Sequence, residues 1–76
     1  MSNDIETKNT VVMVFTTGGH TFTGDERERT AEEIADLREL ARNVDDRDLL
    51  ILVVAGQEVY ISTRSIEALS IVVAGA

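Results

Sequence analysis

The chain has 76 residues, the length of one small domain, and such a chain buries only about 60 to 65% of the surface that its unfolded form exposes. It contains no cysteine and no proline, so neither a disulfide nor a thiolate metal site stabilises it, and nothing points to an oxidising compartment. Its net charge of −7 opposes direct binding to nucleic acid or to an anionic membrane surface, because both require clustered Lys and Arg.

The N-terminal segment is polar. Residues 1–10 lack the basic start and the apolar stretch of a secretory signal, and they are interpreted as a flexible tail before a single domain of residues 11–76. The longest apolar run, residues 49–55, is much shorter than the roughly 20 residues that span a bilayer. We therefore expect a cytoplasmic protein without a membrane partner.

A β-hairpin is predicted at the start of the domain. Residues 11–16 are mostly β-branched or aromatic, which is typical of a strand. Gly18 and Gly19 suit a tight turn, and residues 20–23 return as the second strand. Gly24 and Asp25 are expected to end the hairpin.

An amphipathic helix is predicted next. Thr30 and Glu33 fit a capping box, in which each side chain accepts a hydrogen bond from a free backbone N–H group of the first turn. Residues 45–48 are rich in aspartate, so the helix is expected to stop near Val44. The apolar residues that recur at helical spacing are Ala31, Ile34, Leu37, Leu40, Ala41 and Val44.

Three further strands are predicted after the helix. Residues 49–54 form a run of six apolar residues, and a turn at 55–57 leads to a returning strand over 58–62. A single turn at 63–65 precedes a last strand over 66–73. The predicted fold class is α+β, an antiparallel sheet of four or five strands with one amphipathic helix, in the order ββαβββ.

The predicted strands are apolar on both faces, which leaves part of the sheet uncovered. One helix is about 10 Å wide, whereas a sheet of this size spans roughly 20 Å. Either the sheet curls around its own side chains, or a second copy covers the bare face. We expect the second arrangement, a homo-oligomer and most simply a dimer. Its interface is predicted at Val12, Val14, Leu50, Leu52, Val54 and Val72.

No group of residues matches a catalytic, cofactor or metal site. His20 is the only histidine, and as a general base it would need a nucleophile or an orienting carboxylate beside it. Its position next to two glycines favours a turn residue instead. One cluster carries oxygen atoms suited to calcium but departs from the spacing of the twelve-residue calcium loop: Asn43, Asp45, Asp46 and Asp48. We therefore predict a protein that is not an enzyme and that needs no cofactor.

Three features follow one another along the chain: a glycine-tipped hairpin, a Thr-Ala-Glu-Glu helix start, and a second glycine turn between apolar strands. The residues of this pattern are Gly18, Thr30 to Glu33, Leu49 to Leu52, Gly56, Val59 to Ile61, Ile66, Leu69 and Ile71. In this pattern the chain resembles small uncharacterised bacterial and phage hairpin–helix–hairpin proteins, including an actinobacterial group, over about residues 11–73. The resemblance supports the fold and implies no activity.

Three functions are compatible with these features. The first is a non-catalytic interaction module that homo-oligomerises through its sheet and offers an acidic surface, Glu32, Asp36 and Glu39, to an unidentified protein partner. The second is an acidic phage-type inhibitor, or nucleic-acid mimic, that blocks a basic host protein. The third is an enzyme whose site forms only at the interface of an oligomer. We favour the first.

Overall fold

A computed structural model describes residues 6–75 of the chain. It confirms the α+β class, with one α-helix and antiparallel strands. Six strands are present in the described part, in the order βββαβββ, so the sequence-based order missed one strand before the helix. The elements are β1 (Thr7–Thr16), β2 (Thr21–Thr23), β3 (Arg27–Thr30), α1 (Ala31–Arg42), β4 (Leu49–Val54), β5 (Gln57–Ser62) and β6 (Ile66–Val73).

The larger sheet is built around β1. Strand β6 pairs with β1 on one side, while β2 and β3 follow each other along the opposite side, all antiparallel. The first four residues of β1, Thr7 to Thr10, pair with β3, and Thr10 is fully buried. The prediction of a flexible tail over residues 1–10 is therefore corrected from Thr7 onward, and residues 1–5 lie outside the described part.

The turn between β1 and β2 is a tight glycine turn, as the sequence predicted. Gly19 has a φ of 83° and its N–H donates to the carbonyl of Thr16 at 3.0 Å, which closes a three-residue hairpin loop. A left-handed residue at the end of such a loop matches the right-handed twist of the two strands, and glycine adopts that conformation without steric cost.

The capping box at the start of α1 is present as predicted. The backbone N–H of Glu33 donates to the Thr30 hydroxyl at 3.2 Å, and the backbone N–H of Thr30 donates to the Glu33 carboxylate at 2.9 Å. This second hydrogen bond is the main cause that lowers the pKa of Glu33 below its ordinary value of 4.5. The helix ends at Arg42, close to the predicted end, and Asn43 caps it.

Strands β4 and β5 form a separate two-stranded sheet. Their connection, Ala55 and Gly56, has positive φ at both residues (52° and 75°), as in the two-residue turns that suit the twist of a hairpin. This hairpin is anchored at its open end by the Thr63 side chain, which donates to the carbonyl of Arg47, and by the Thr63 N–H, which donates to the carbonyl of Asp48 at 3.1 Å.

The core lies between the two sheets. Val12 and Val14 of β1 meet Leu50 and Leu52 of β4 and Ile61 of β5, and all five are buried. Side chains of α1, including Leu37 and Leu40, pack against the same cluster. Helix and hairpin thus share one face of the larger sheet. The described strands do not close into a barrel, so the curled alternative is not adopted.

Candidate interaction surfaces

Most of the predicted interface lies inside the single chain. Val12, Val14, Leu50 and Leu52 are each at most 8% exposed, so a second copy has almost no surface of theirs to contact. The sequence-based choice of this face is therefore corrected, because the hairpin β4–β5 folds back over β1 and covers it. Of the two remaining residues, Val54 is half-buried against the core, and Val72 is 49% exposed.

The opposite face of the hairpin carries four of the five large apolar side chains that are exposed in residues 6–75. Leu49, Ile51 and Val53 of β4 are 53%, 53% and 46% exposed, and Tyr60, which lies across from Ile51, is 58% exposed. We call these four residues the hairpin face. Successive residues of a strand point to opposite sides, so burial of Leu50 and Leu52 forces their neighbours outward. Together the four expose on the order of 400 Å², the size at which a patch on a monomer is often functional.

A second apolar surface lies on the side of the larger sheet away from the core. Val11, Met13 and Phe15 alternate with the buried residues of β1 and are half-buried, and Val72 pairs directly with Val11. The side chains of the hairpin and of α1 that join the core cluster all reach the other side of this sheet, where Val12 and Val14 lie. Among residues 6–75, the helix and the hairpin thus pack on one side of a sheet that is apolar on both sides.

The predicted partner surface lies on the solvent side of α1. Glu32, Asp36 and Glu39 are exposed and follow one another at helical spacing, which places them along one stripe. Glu39 is engaged locally, since its carboxylate accepts hydrogen bonds from Arg42 at 3.2 Å and from Asn43 at 3.0 Å. Within residues 6–75, no hydrogen bond or ion pair involves the side chain of Glu32 or Asp36. Two free carboxylates therefore face solvent beside one that is paired.

The two candidate reactive residues, His20 and Tyr60, take part in local hydrogen bonds. His20 is exposed at the tip of the first hairpin, where its backbone N–H donates to the Thr16 hydroxyl at 3.1 Å. It shares a shallow depression with Tyr60 whose lining contains no carboxylate. The Tyr60 hydroxyl instead donates to Glu58 at 3.1 Å.

The aspartates after α1 do not assemble a metal site. Asp45 and Asp46 lie in a 3₁₀ turn, Val44–Asp46, and both are exposed, as is Asp48. Across residues 6–75, no three His, Cys, Asp or Glu side chains stand close enough together to hold a metal ion. In the same range no helix is both long and apolar enough to cross a membrane.

Asp25 is a structurally important residue that sequence reasoning missed. Its carboxylate accepts hydrogen bonds from the backbone N–H groups of Ala55 at 2.7 Å and Gly56 at 2.8 Å, and its own N–H donates to the carbonyl of Val53 at 2.8 Å. Asp25 thus ties the loop after β2 to the tip of the β4–β5 hairpin. Because Ala55 and Gly56 are 30 and 31 residues away, no local pattern in the sequence marks this contact.

A groove lies between α1 and β4, with a volume near 360 Å³. Its lining is mostly apolar, with Leu37, Leu40 and Leu69 among the residues, and its charged members are Asp25, Glu26, Arg27 and Arg29. Partial burial is the main cause that lowers the pKa of Arg29, and the neighbouring positive charge of Arg27 lowers it further. The Arg29 guanidinium donates to the carbonyl of Thr10 at 3.3 Å, so it joins β3 to β1.

Comparison with protein-family models, with curated proteins and with solved structures finds no match to this chain. The structure defines a class, a small acidic α+β protein whose β-hairpin packs across one face of a larger sheet. The resemblance to bacterial and phage hairpin–helix–hairpin proteins stays a prediction.

Proposed function

We propose that this chain is a non-catalytic interaction module of the cytoplasm that self-associates through its sheet surface and offers an acidic helical surface to a protein partner. The observation that carries the proposal is the hairpin face, where Leu49, Ile51, Val53 and Tyr60 are each about half exposed side by side. A contiguous apolar patch of this size is often a functional surface.

The exposed area supports an oligomer. The hairpin face exposes on the order of 400 Å², about half of the roughly 800 Å² that each partner buries in a standard interface. Covering the hairpin face alone would contribute about 10 kcal/mol per protomer of gross hydrophobic stabilisation. That gain is set against an association cost of about 4 to 15 kcal/mol.

Sedimentation of the wild type and of an Ile51→Lys variant tests this self-association. The wild type should sediment as at least a dimer at high micromolar concentration, and Ile51→Lys should lower the mass, because it places an ammonium group in the centre of the hairpin face. Ala35→Lys is the matched control, since it makes the same charge change at an exposed helix position. A wild-type monomer, or equal masses for both variants, would refute the proposal.

The acidic surface is proposed to bind a partner that carries clustered Lys and Arg. Glu32 and Asp36 support this, because their exposed carboxylates have no partner among the described residues. Affinity capture from the native host, with wild type and with the double variant Glu32→Arg/Asp36→Arg as bait, tests it. A genuine partner should be lost from the variant and should dissociate as salt is raised. Capture of a nucleic-acid-binding protein would favour the alternative of an acidic inhibitor, and equal capture by both baits would exclude this surface.

A further inference from the structure

Within residues 6–75, strand β6 is an edge strand whose outer hydrogen-bonding groups have no partner. The N–H of Ala74 donates to the carbonyl of Asn9 at 2.9 Å, which sets the alternation of the β1–β6 ladder. Counting from that pair, the backbone groups of Ser70 and Val72 turn towards β1, and those of Leu69, Ile71 and Val73 turn outward. In the part of the chain that the structure describes, no backbone or side-chain group bonds these outward positions.

The other edge strands of the two sheets are all shorter than β6. Strand β2 has only three residues, and β3 carries Arg27, Glu28 and Arg29. Strand β5 carries the charged Glu58, and β4 is bonded at Val53 by the Asp25 N–H. Strand β6 has eight residues, and its single charge, Glu67, lies at the irregularity near its start. Short length and charge are the usual devices that stop an edge from pairing. Strand β6 is the longest of these edges and carries no charge from Ala68 to Val73, so it is the edge most open to pairing.

We propose that β6 pairs antiparallel with β6 of a second copy, about a two-fold axis at Ser70. In this register Leu69 lies opposite the partner's Ile71 and Ala68 lies opposite the partner's Val72. The register spans the strand while leaving out the irregular pairing at Ile66. Its outward groups then form ladder hydrogen bonds, and the exposed Val72 gains a cross-strand neighbour.

The charge distribution makes β6 a place where the repulsion between two copies is weak. Each chain carries a net charge of −7, so two copies approach most easily where carboxylates are sparse, and β6 contains only one. In the proposed register the two Glu67 side chains stand about 20 Å apart along the strands, well beyond a Debye length of about 8 Å at physiological salt. An antiparallel strand pair is also self-complementary, as a two-fold interface requires.

This contact goes beyond the self-association proposed above and does not use the hairpin face. Both contacts are isologous and lie on different elements, so together they produce an assembly larger than a dimer. Loss of the hairpin contact by Ile51→Lys should therefore leave a dimer joined through β6.

Single cysteines test the register, because the chain has no cysteine of its own. At a non-hydrogen-bonded antiparallel pair the Cα atoms are about 4.5 Å apart, which is within the range of a disulfide, so Ser70→Cys should form a disulfide-linked dimer under mild oxidation. Ala68→Cys and Val72→Cys are the controls, since each thiol then stands about 14 Å from its copy along the strands. On non-reducing gels Ser70→Cys should link at least ten times faster than either control.

The outcomes separate this contact from the hairpin contact. Linking of Ser70→Cys at the same rate in the Ile51→Lys background supports an independent β6 interface. Equal rates at the three cysteine positions, faster linking at position 68 or 72, or loss of linking in the Ile51→Lys background would each overturn it. As a second test, Ser70→Lys places two like charges across the axis and should convert the Ile51→Lys dimer to a monomer; a persisting dimer would also overturn it.

Discussion

Removing the Asp25 carboxylate should destabilise the protein although the residue is exposed. Asp25→Ala deletes two hydrogen bonds, to the N–H groups of Ala55 at 2.7 Å and Gly56 at 2.8 Å. A hydrogen bond to a charged group contributes about 1.5 to 3 kcal/mol. Both turn residues are exposed, so water replaces part of the lost interaction. We expect a loss of about 2 to 3 kcal/mol in the free energy of unfolding.

That loss is large for a domain of this size. A chain of this length has a total stability of about 4 to 11 kcal/mol, and the melting temperature should fall by about 10 to 20 °C. Thermal and urea unfolding followed by circular dichroism would measure the change, at equal protein concentration because association raises apparent stability. Asp25→Asn should show a smaller loss, since its amide oxygen still accepts one of the two bonds.

Glu26→Ala is the matched control for Asp25→Ala. Glu26 is the next residue, is exposed, and takes part in no hydrogen bond or ion pair among residues 6–75. Its removal should change stability by no more than about 0.5 kcal/mol. If Asp25→Ala lowered the melting temperature no more than Glu26→Ala did, the carboxylate would not hold the hairpin tip, and the reasoning would fail.

Two further predictions concern local backbone chemistry. Ala55 has a φ of 52°, a conformation that costs a residue with a Cβ atom about 1 to 2 kcal/mol. Asn tolerates this conformation better, so Ala55→Asn should raise the free energy of unfolding by about 0.5 to 1 kcal/mol in the same assay. A lower free energy of unfolding would contradict the turn geometry. The pKa of Glu33 is lowered in the folded state, so its contribution is present above the ordinary value of 4.5 and lost as the pH falls through the folded pKa. Acid unfolding of Glu33→Gln should accordingly depend less on pH below about 4.5 than that of the wild type, and identical profiles would argue against the capping interaction.

The parts of the fold that sequence reasoning predicted depend on neighbouring residues. The capping box of Thr30 and Glu33 lies within one helical turn, and Gly19 and Gly56 supply their own turn conformations. The apolar run of residues 49–54 is also a strand as predicted. In each case a few consecutive residues contain the whole physical reason for the structure.

Strand β3 could not be predicted in this way. Arg27, Glu28 and Arg29 have no strand pattern of their own, and they are extended because residues 7–10 of β1 provide the hydrogen-bonding partners. The contact between Asp25 and the turn at Ala55 is likewise formed only when distant segments meet. Such contacts leave no signal in local composition or spacing.

The sequence by itself determined that the strands are apolar on both sides and that more apolar surface exists than one helix can cover. Only the tertiary structure decided which side is buried. Leu50 and Leu52 enter the core while Leu49 and Ile51 face solvent, although both pairs are equally apolar. The alternation of a strand separates its two faces but does not rank them, and the packing of the hairpin over Val12 and Val14 makes that choice.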